Sequence, residues 1–138
     1  MLRSMFQVYV KGSGKAFEFY KKAFDGEVVY QPSNDDNISI DDIAYDHSEL
    51  NIYGQILAVS EAKMLDYPNY ENETPLIHGN NVQLCLNFSR EEAYKVKKAY
   101  EVLNEDAIKP GTLKNVDFSP CLFSLIDKFG VSWCLFTE

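Results

Sequence analysis

The chain has 138 residues, 46% of them hydrophobic, and 13 Lys and Arg against 21 Asp and Glu give a formal charge of −8. That length suits one domain burying roughly 68% of the surface its unfolded form exposes, so no staple is required, and nine Tyr with nine Phe argue against disorder. The negative charge argues against nucleic acid as a partner, and no apolar run is long enough to span a bilayer. Three cysteines without CxxC spacing fit reduced thiols rather than a zinc site. Met1 to Phe6 has no secretory apolar core, so a soluble cytoplasmic protein is expected.

In chain order, Met5 to Lys11 alternates Val8 and Val10 with Gln7, Tyr9 and Lys11, the period of a strand with one face on a core. Ser13 stands at the expected helix N-cap, ahead of Ala16, Phe19, Tyr20 and Ala23 at helical spacing. Phe17, Phe19, Tyr20 and Phe24 wrap that helix and read as packing rather than a ligand box. Gly12-Ser13-Gly14-Lys15 lacks the upstream glycine and the following Ser or Thr of a phosphate loop, since Ala16 follows the lysine; it reads as a tight turn. Asp25-Gly26 ends the helix, Glu27 to Gln31 reads as a strand, and Pro32 to Asp42 as a polar connection. Ile43 to Ile52 and Gln55 to Ser60 form a hairpin around Tyr53-Gly54.

The stretch 62–81, with Pro68, Pro75 and Gly79, has neither period and joins two units, about 1–61 and 82–138. The second unit repeats the order: a strand at Val82 to Phe88, a helix at Arg90 to Asn104, a short edge at Ala107 to Pro110, and a hairpin of Pro120 to Ile126 with Val131 to Thr137. QVYVKGSGKAFEFYKKAF at Gln7 matches QLCLNFSREEAYKVKKAY at Gln83, a shift of 76 residues (83 minus 7), and the same shift carries Gly54 onto Gly130. The reading is an α+β fold, βαβββ twice, with helices covering one face of each sheet.

The segments KAFEFYKKAFDGE, HSELNIYGQILAVSE and DKFGVSWCLF resemble the vicinal oxygen chelate superfamily, in its PhnB-like branch related to glyoxalase and bleomycin-resistance proteins. The resemblance covers nearly the whole chain. It implies paired βαβββ modules curled around a cavity, commonly as a homodimer, and in many members a divalent metal held by one His, Gln or Glu from each of four strands. The matching positions here are Gln7, Ala58, Gln83 and Cys134. Ala58 offers no donor, and two neutral amides with one thiol bring little charge to a hard cation. No conventional metal or other cofactor is therefore expected.

If the helices cover Val8, Val10, Leu84 and Leu86, the opposite face carries Gln7, Tyr9, Gln83 and Cys85. By the same parity His47, Glu49 and Asn51 point into the first unit's concavity, and Phe123, Leu125 and Asp127 into the second, making one polar and one apolar cup. His47 is the candidate for proton transfer, with Glu49 to orient it, or else a hydrogen-bonded structural residue. Cys134, beside Trp133, reads as packing or as a thiol nucleophile. His78 is expected in solvent. The preferred reading is a metal-independent protein that binds a small organic molecule through Gln7, Tyr9, His47, Glu49, Gln83 and Cys134. A divergent metal-dependent lyase, dioxygenase or thiol transferase, or a ligand-free dimeric scaffold, are the alternatives.

Overall fold

A computed structural model describes residues 1–69 and 75–138, so the part of the inter-unit stretch at 70–74 lies outside the described residues. The chain divides into two compact units, Met1–Ile77 and His78–Glu138. In the first, β1 (Phe6–Val10), α1 (Ser13–Phe24), β2 (Glu27–Tyr30), β3 (Ser48–Ile52) and β4 (Gln55–Glu61) form a sheet of order β1-β4-β3-β2. In the second, β5 (Leu84–Phe88), α2 (Ala93–Leu103), β6 (Lys114–Val116), β7 (Ser119–Ile126) and β8 (Ser132–Thr137) form one of order β5-β8-β7-β6. Each sheet is mixed, with its first strand parallel to its last and the remaining pairs antiparallel. The expected doubled βαβββ order is therefore present. The short edge expected at Ala107 to Pro110 is only an isolated bridge between Lys109 and Ile126, and β6 supplies the edge strand instead. No described helix is long and apolar enough to cross a membrane.

One sheet face in each unit is closed by its helix. Ala16, Phe17, Tyr20, Ala23 and Phe24 of α1 are fully buried, as are Val10, Leu50, Ile52, Leu57 and Val59 of the sheet. In the second unit Val96, Ala99 and Leu103 of α2 are buried with Phe123, Leu125, Trp133 and Leu135, and the Tyr100 ring meets Phe123 edge to face at 5.3 Å. Gly14 lets α1 sit close to the segment before β3: an added Cβ would lie 2.6 Å from the Ile43 side chain and 2.8 Å from its carbonyl oxygen. The β3–β4 hairpin turns at Tyr53 and Gly54, with φ of 56° and 94°, the positive pair that a two-residue hairpin turn needs.

Ser13 does not cap its own helix. The cap position is Gly12, in the left-handed region at φ 89°, and no side chain of its own satisfies the helix start. Glu61, at the end of β4, accepts instead from Gly12 N (3.1 Å), Ser13 N (2.9 Å) and Ser13 Oγ (2.8 Å), while Ser13 Oγ accepts from Tyr45 N. A carboxylate at a helix N-terminus meets both the bare amides and the positive end of the helix dipole. The second helix follows the local rule, since Ser89 and Glu92 form a reciprocal capping box before it.

Ladder register departs from the single shift of 76 in two places. Phe6 pairs with Leu57 and Leu84 with Trp133, so the first strands are 78 apart (84 minus 6) while their partners keep 76 (133 minus 57). Cys85, not Gln83, is thus the ladder counterpart of Gln7. The shift by two preserves the face. In β7 the slip is one: Glu49 pairs with Ala58, but Ser124 rather than Leu125 pairs with Cys134. The five residues between Ile126 and Ser132 replace the two between Ile52 and Gln55, and an odd slip turns every side chain of a strand over.

Candidate functional site

The open face of the first sheet is assembled by register. Gln7 lies beside Ala58 and Tyr9 beside Ser60, Glu49 is opposite Ala58, and a bulge in β2 brings Tyr30 opposite Glu49. Gln7, Tyr9, Glu49 and the adjoining His47 therefore come together on one face. The Gln7 amide nitrogen donates to Ser60 Oγ at 3.1 Å and to the Val8 carbonyl, which leaves Oε1 as an acceptor. Asn51 shares the face but its Oδ1 accepts from Gly54 N at 2.7 Å, so it serves the turn.

At the centre is a carboxylate that water barely reaches. Glu49 is only 4% exposed, and an isolated charge at such a place would be expensive. Arg3 resolves this with a bidentate fork, Nη1 to Oε1 at 2.6 Å and Nη2 to Oε2 at 2.7 Å. His47 Nε2 lies 2.6 Å from Oε2. With the carboxylate accepting, Nε2 carries a hydrogen and Nδ1 is the ring's remaining polar atom. The Arg3 fork, seconded by His47, holds the Glu49 carboxyl below the usual carboxylate range. Tyr30 stacks beside the His47 ring, centroids 6.3 Å apart, and the ring remains partly open to solvent. Sequence reasoning missed Arg3 and Tyr30. Arg3 precedes any periodic element, and Tyr30 reaches the site only through the bulge; the sole available signal was an acid expected on a strand face with no cation assigned to it.

The second unit places Gln83 and Cys134 on its own open face. Gln83 precedes β5, and its Nε2 donates to Ser124 Oγ at 3.4 Å. Cys134 is flanked by Cys85 on one side and Ser124 on the other. Burial, and after it the neighbouring Cys134 thiol, push the Cys85 thiol up. The expected apolar cup of Phe123, Leu125 and Asp127 is not there. The odd slip in β7 turns Phe123 and Leu125 to the helix side and leaves Leu122, Ser124 and Ile126 on the open face. Asp127 is fully buried, accepting from Phe129 N and Val131 N at Oδ1 and from the Trp133 indole at Oδ2 (2.9 Å). His78 is exposed, as expected, with its ring over Gly130, where an added Cβ would lie 2.5 Å from the ring.

No protein-family model matches the chain, and no curated protein is detectably similar to it in sequence. Solved structures do match over its full length. It is similar to a PhnB protein from Bacillus cereus (TM-score 0.70, 20% identity, 100% of both chains) and to protein PA1353 from Pseudomonas aeruginosa (TM-score 0.69, 17% identity, 100% of this chain and 98% of that one). It also resembles the fosfomycin resistance protein FosX from Listeria monocytogenes (TM-score 0.63, 14% identity, 100% and 93%). A variant of that FosX is known in complex with Mn(II) and 1S,2S-dihydroxypropylphosphonic acid. The fold is thus the glyoxalase-like α+β fold of PhnB-like and FosX proteins.

Among the described residues, a divalent metal of the kind found in the FosX complex has no matching donor set. Ala58, on the open face between Gln7 and Glu49, has no donor atom. Gln7 offers one neutral oxygen, and Cys134 and Cys85 bring thiols whose thiolate form is disfavoured at Cys85. The Glu49 carboxylate is already held on both oxygens. Among the described residues no three His, Cys, Asp or Glu side chains cluster as ligands would. The donor set does not fit a hard cation, which needs several oxygen ligands with charge.

Proposed function

We propose that the chain binds a small, polar organic molecule on the open face of its first sheet, through Gln7, Tyr9 and His47, without a metal. One observation carries this reading: Glu49 is neutralised by Arg3 and tied to His47, so the face presents an amide oxygen, a phenol and an imidazole rather than a chelating carboxylate. Such a set orients a ligand by directional hydrogen bonds, and Tyr9 adds a ring for stacking. In this reading Glu49 and Arg3 position His47 and do not touch the ligand, and Gln83 and Cys134 serve the second unit's face. Cytoplasmic location and homodimeric assembly belong to the proposal; the latter is supported by the exposed Val28, Val29 and Tyr30 on edge strand β2.

The Glu49–His47 contact also favours a second reading, an enzyme with His47 as general base, because a carboxylate that fixes one ring nitrogen frees the other for proton transfer. The bidentate Arg3 weakens it by withdrawing the negative charge that would support an imidazolium.

A thermal-shift screen of polar metabolites tests the proposal. A ligand at a hundred times its Kd adds about 2.7 kcal/mol, which for a chain of this size raises Tm by roughly 8 °C. His47→Ala and Tyr9→Phe should keep the fold and reduce that shift. Binding unchanged in both variants, or stoichiometric metal in the purified protein, would overturn it.

A further inference from the structure

The second unit contains a cavity of about 310 Å³ at the end of its open face, lined in part by Asn80, Gln83, Lys109, Ser124, Ile126 and Ser132. Among the described residues its lining holds no carboxylate, although acids outnumber bases 21 to 13 in the chain. Three features make it a built site rather than a surface dip. Ser132 is 4% exposed as a residue, and its buried hydroxyl has no hydrogen-bond partner, one of two such side-chain atoms among the described residues. A hydroxyl buried in that state costs stability unless something completes its bonding. Lys109 is held in place by paired backbone hydrogen bonds to Ile126, and its ammonium makes no ion pair among the described residues. Gln83 donates to Ser124 Oγ, which leaves the serine hydrogen to be given elsewhere.

We infer that this cavity binds a small monocarboxylate, of the 2-hydroxy or 2-oxo acid type, with the carboxylate on Lys109 and Ser132 and the second oxygen at Ser124 and Asn80. One ammonium balances one negative charge. Among the described lining residues neither an arginine fork nor a second cation compensates a dianion, which separates this ligand class from phosphate. The wall at Ile126 takes a short alkyl chain. The inference rests on second-unit residues alone and does not depend on the first-unit reading.

Amide NMR titration of the full chain with sodium lactate, at constant ionic strength, tests it, with sodium phosphate and glycerol in parallel. Lactate should move the Asn80 and Gln83 side-chain amides and the Ser132 backbone amide to saturation. Lys109→Gln should weaken binding at least tenfold and Ser132→Ala about three- to tenfold, with spectra otherwise unchanged, and Lys22→Gln, at an exposed position of α1, should bind as the parent does. Lys109 is exposed and Ser132→Ala removes an unsatisfied group, so both variants fold. Shifts that do not saturate, tighter binding of phosphate than of lactate, or parental affinity in both variants would each overturn the inference.

Discussion

Replacing Asp127 by alanine tests how the second unit is held together. Three donors lose their acceptor: the Trp133 indole, which is fully buried, the Val131 amide, also buried, and the Phe129 amide, half-buried. An unsatisfied buried donor costs about 1–3 kcal/mol. The Phe129 amide can turn to water, so the two remaining losses set the expectation at about 3–4 kcal/mol, or roughly 10 °C in Tm. Trp133→Phe removes one of the same bonds and should cost about 2 kcal/mol. Urea unfolding followed by circular dichroism gives both values, and the double variant gives the coupling. Because the substitutions share a bond, their joint cost should fall short of the sum by about 1–3 kcal/mol. A cost below about 1 kcal/mol for Asp127→Ala, or additivity within about 0.5 kcal/mol, would refute the reasoning.

Glu49 has its carboxyl lowered in the folded state, so its stabilisation is complete above the unfolded carboxylate range and is lost as pH falls through the folded value. Arg3→Ala removes the larger cause, and the acid-unfolding midpoint measured by circular dichroism should move to higher pH; an unmoved midpoint would dismiss the Arg3 fork. Cys85 and Cys134 sit side by side on parallel strands, a spacing within disulfide reach. Diamide should therefore yield a species about 2 Da lighter with only Cys121 alkylatable, and three free thiols after treatment would contradict the register. Gly14→Ala forces a methyl against the Ile43 side chain and carbonyl oxygen and should cost about 1–3 kcal/mol in urea unfolding.

The doubled order was legible because alternation and helical spacing are strong in each half, and because Gly54 and Gly130 both adopt positive φ at hairpins. The polar face of the first sheet was legible for the same reason: Gln7 and Tyr9 alternate with Val8 and Val10. The second face was misread by copying the repeat's offset through a hairpin of different length. Local chemistry held the correction, since Cys121, Phe123 and Leu125 are uniformly apolar while their neighbours include Ser124. Arg3 and the Glu61 cap depend on chain segments 46 and 48 residues away, and no local pattern marks such partners.

The two helices begin under different authority. α2 carries its own start signal within four residues, Ser89 to Glu92, so its leading turn is completed without any distant strand. α1 waits for Glu61. A nascent chain that has not yet extended past β4 leaves that helix's leading amides to water, and closing the loop to the acid is the slower kind of event in folding. The two halves therefore differ in what completes a helix start: adjacent residues in the later-synthesised half, a distant acid in the earlier one.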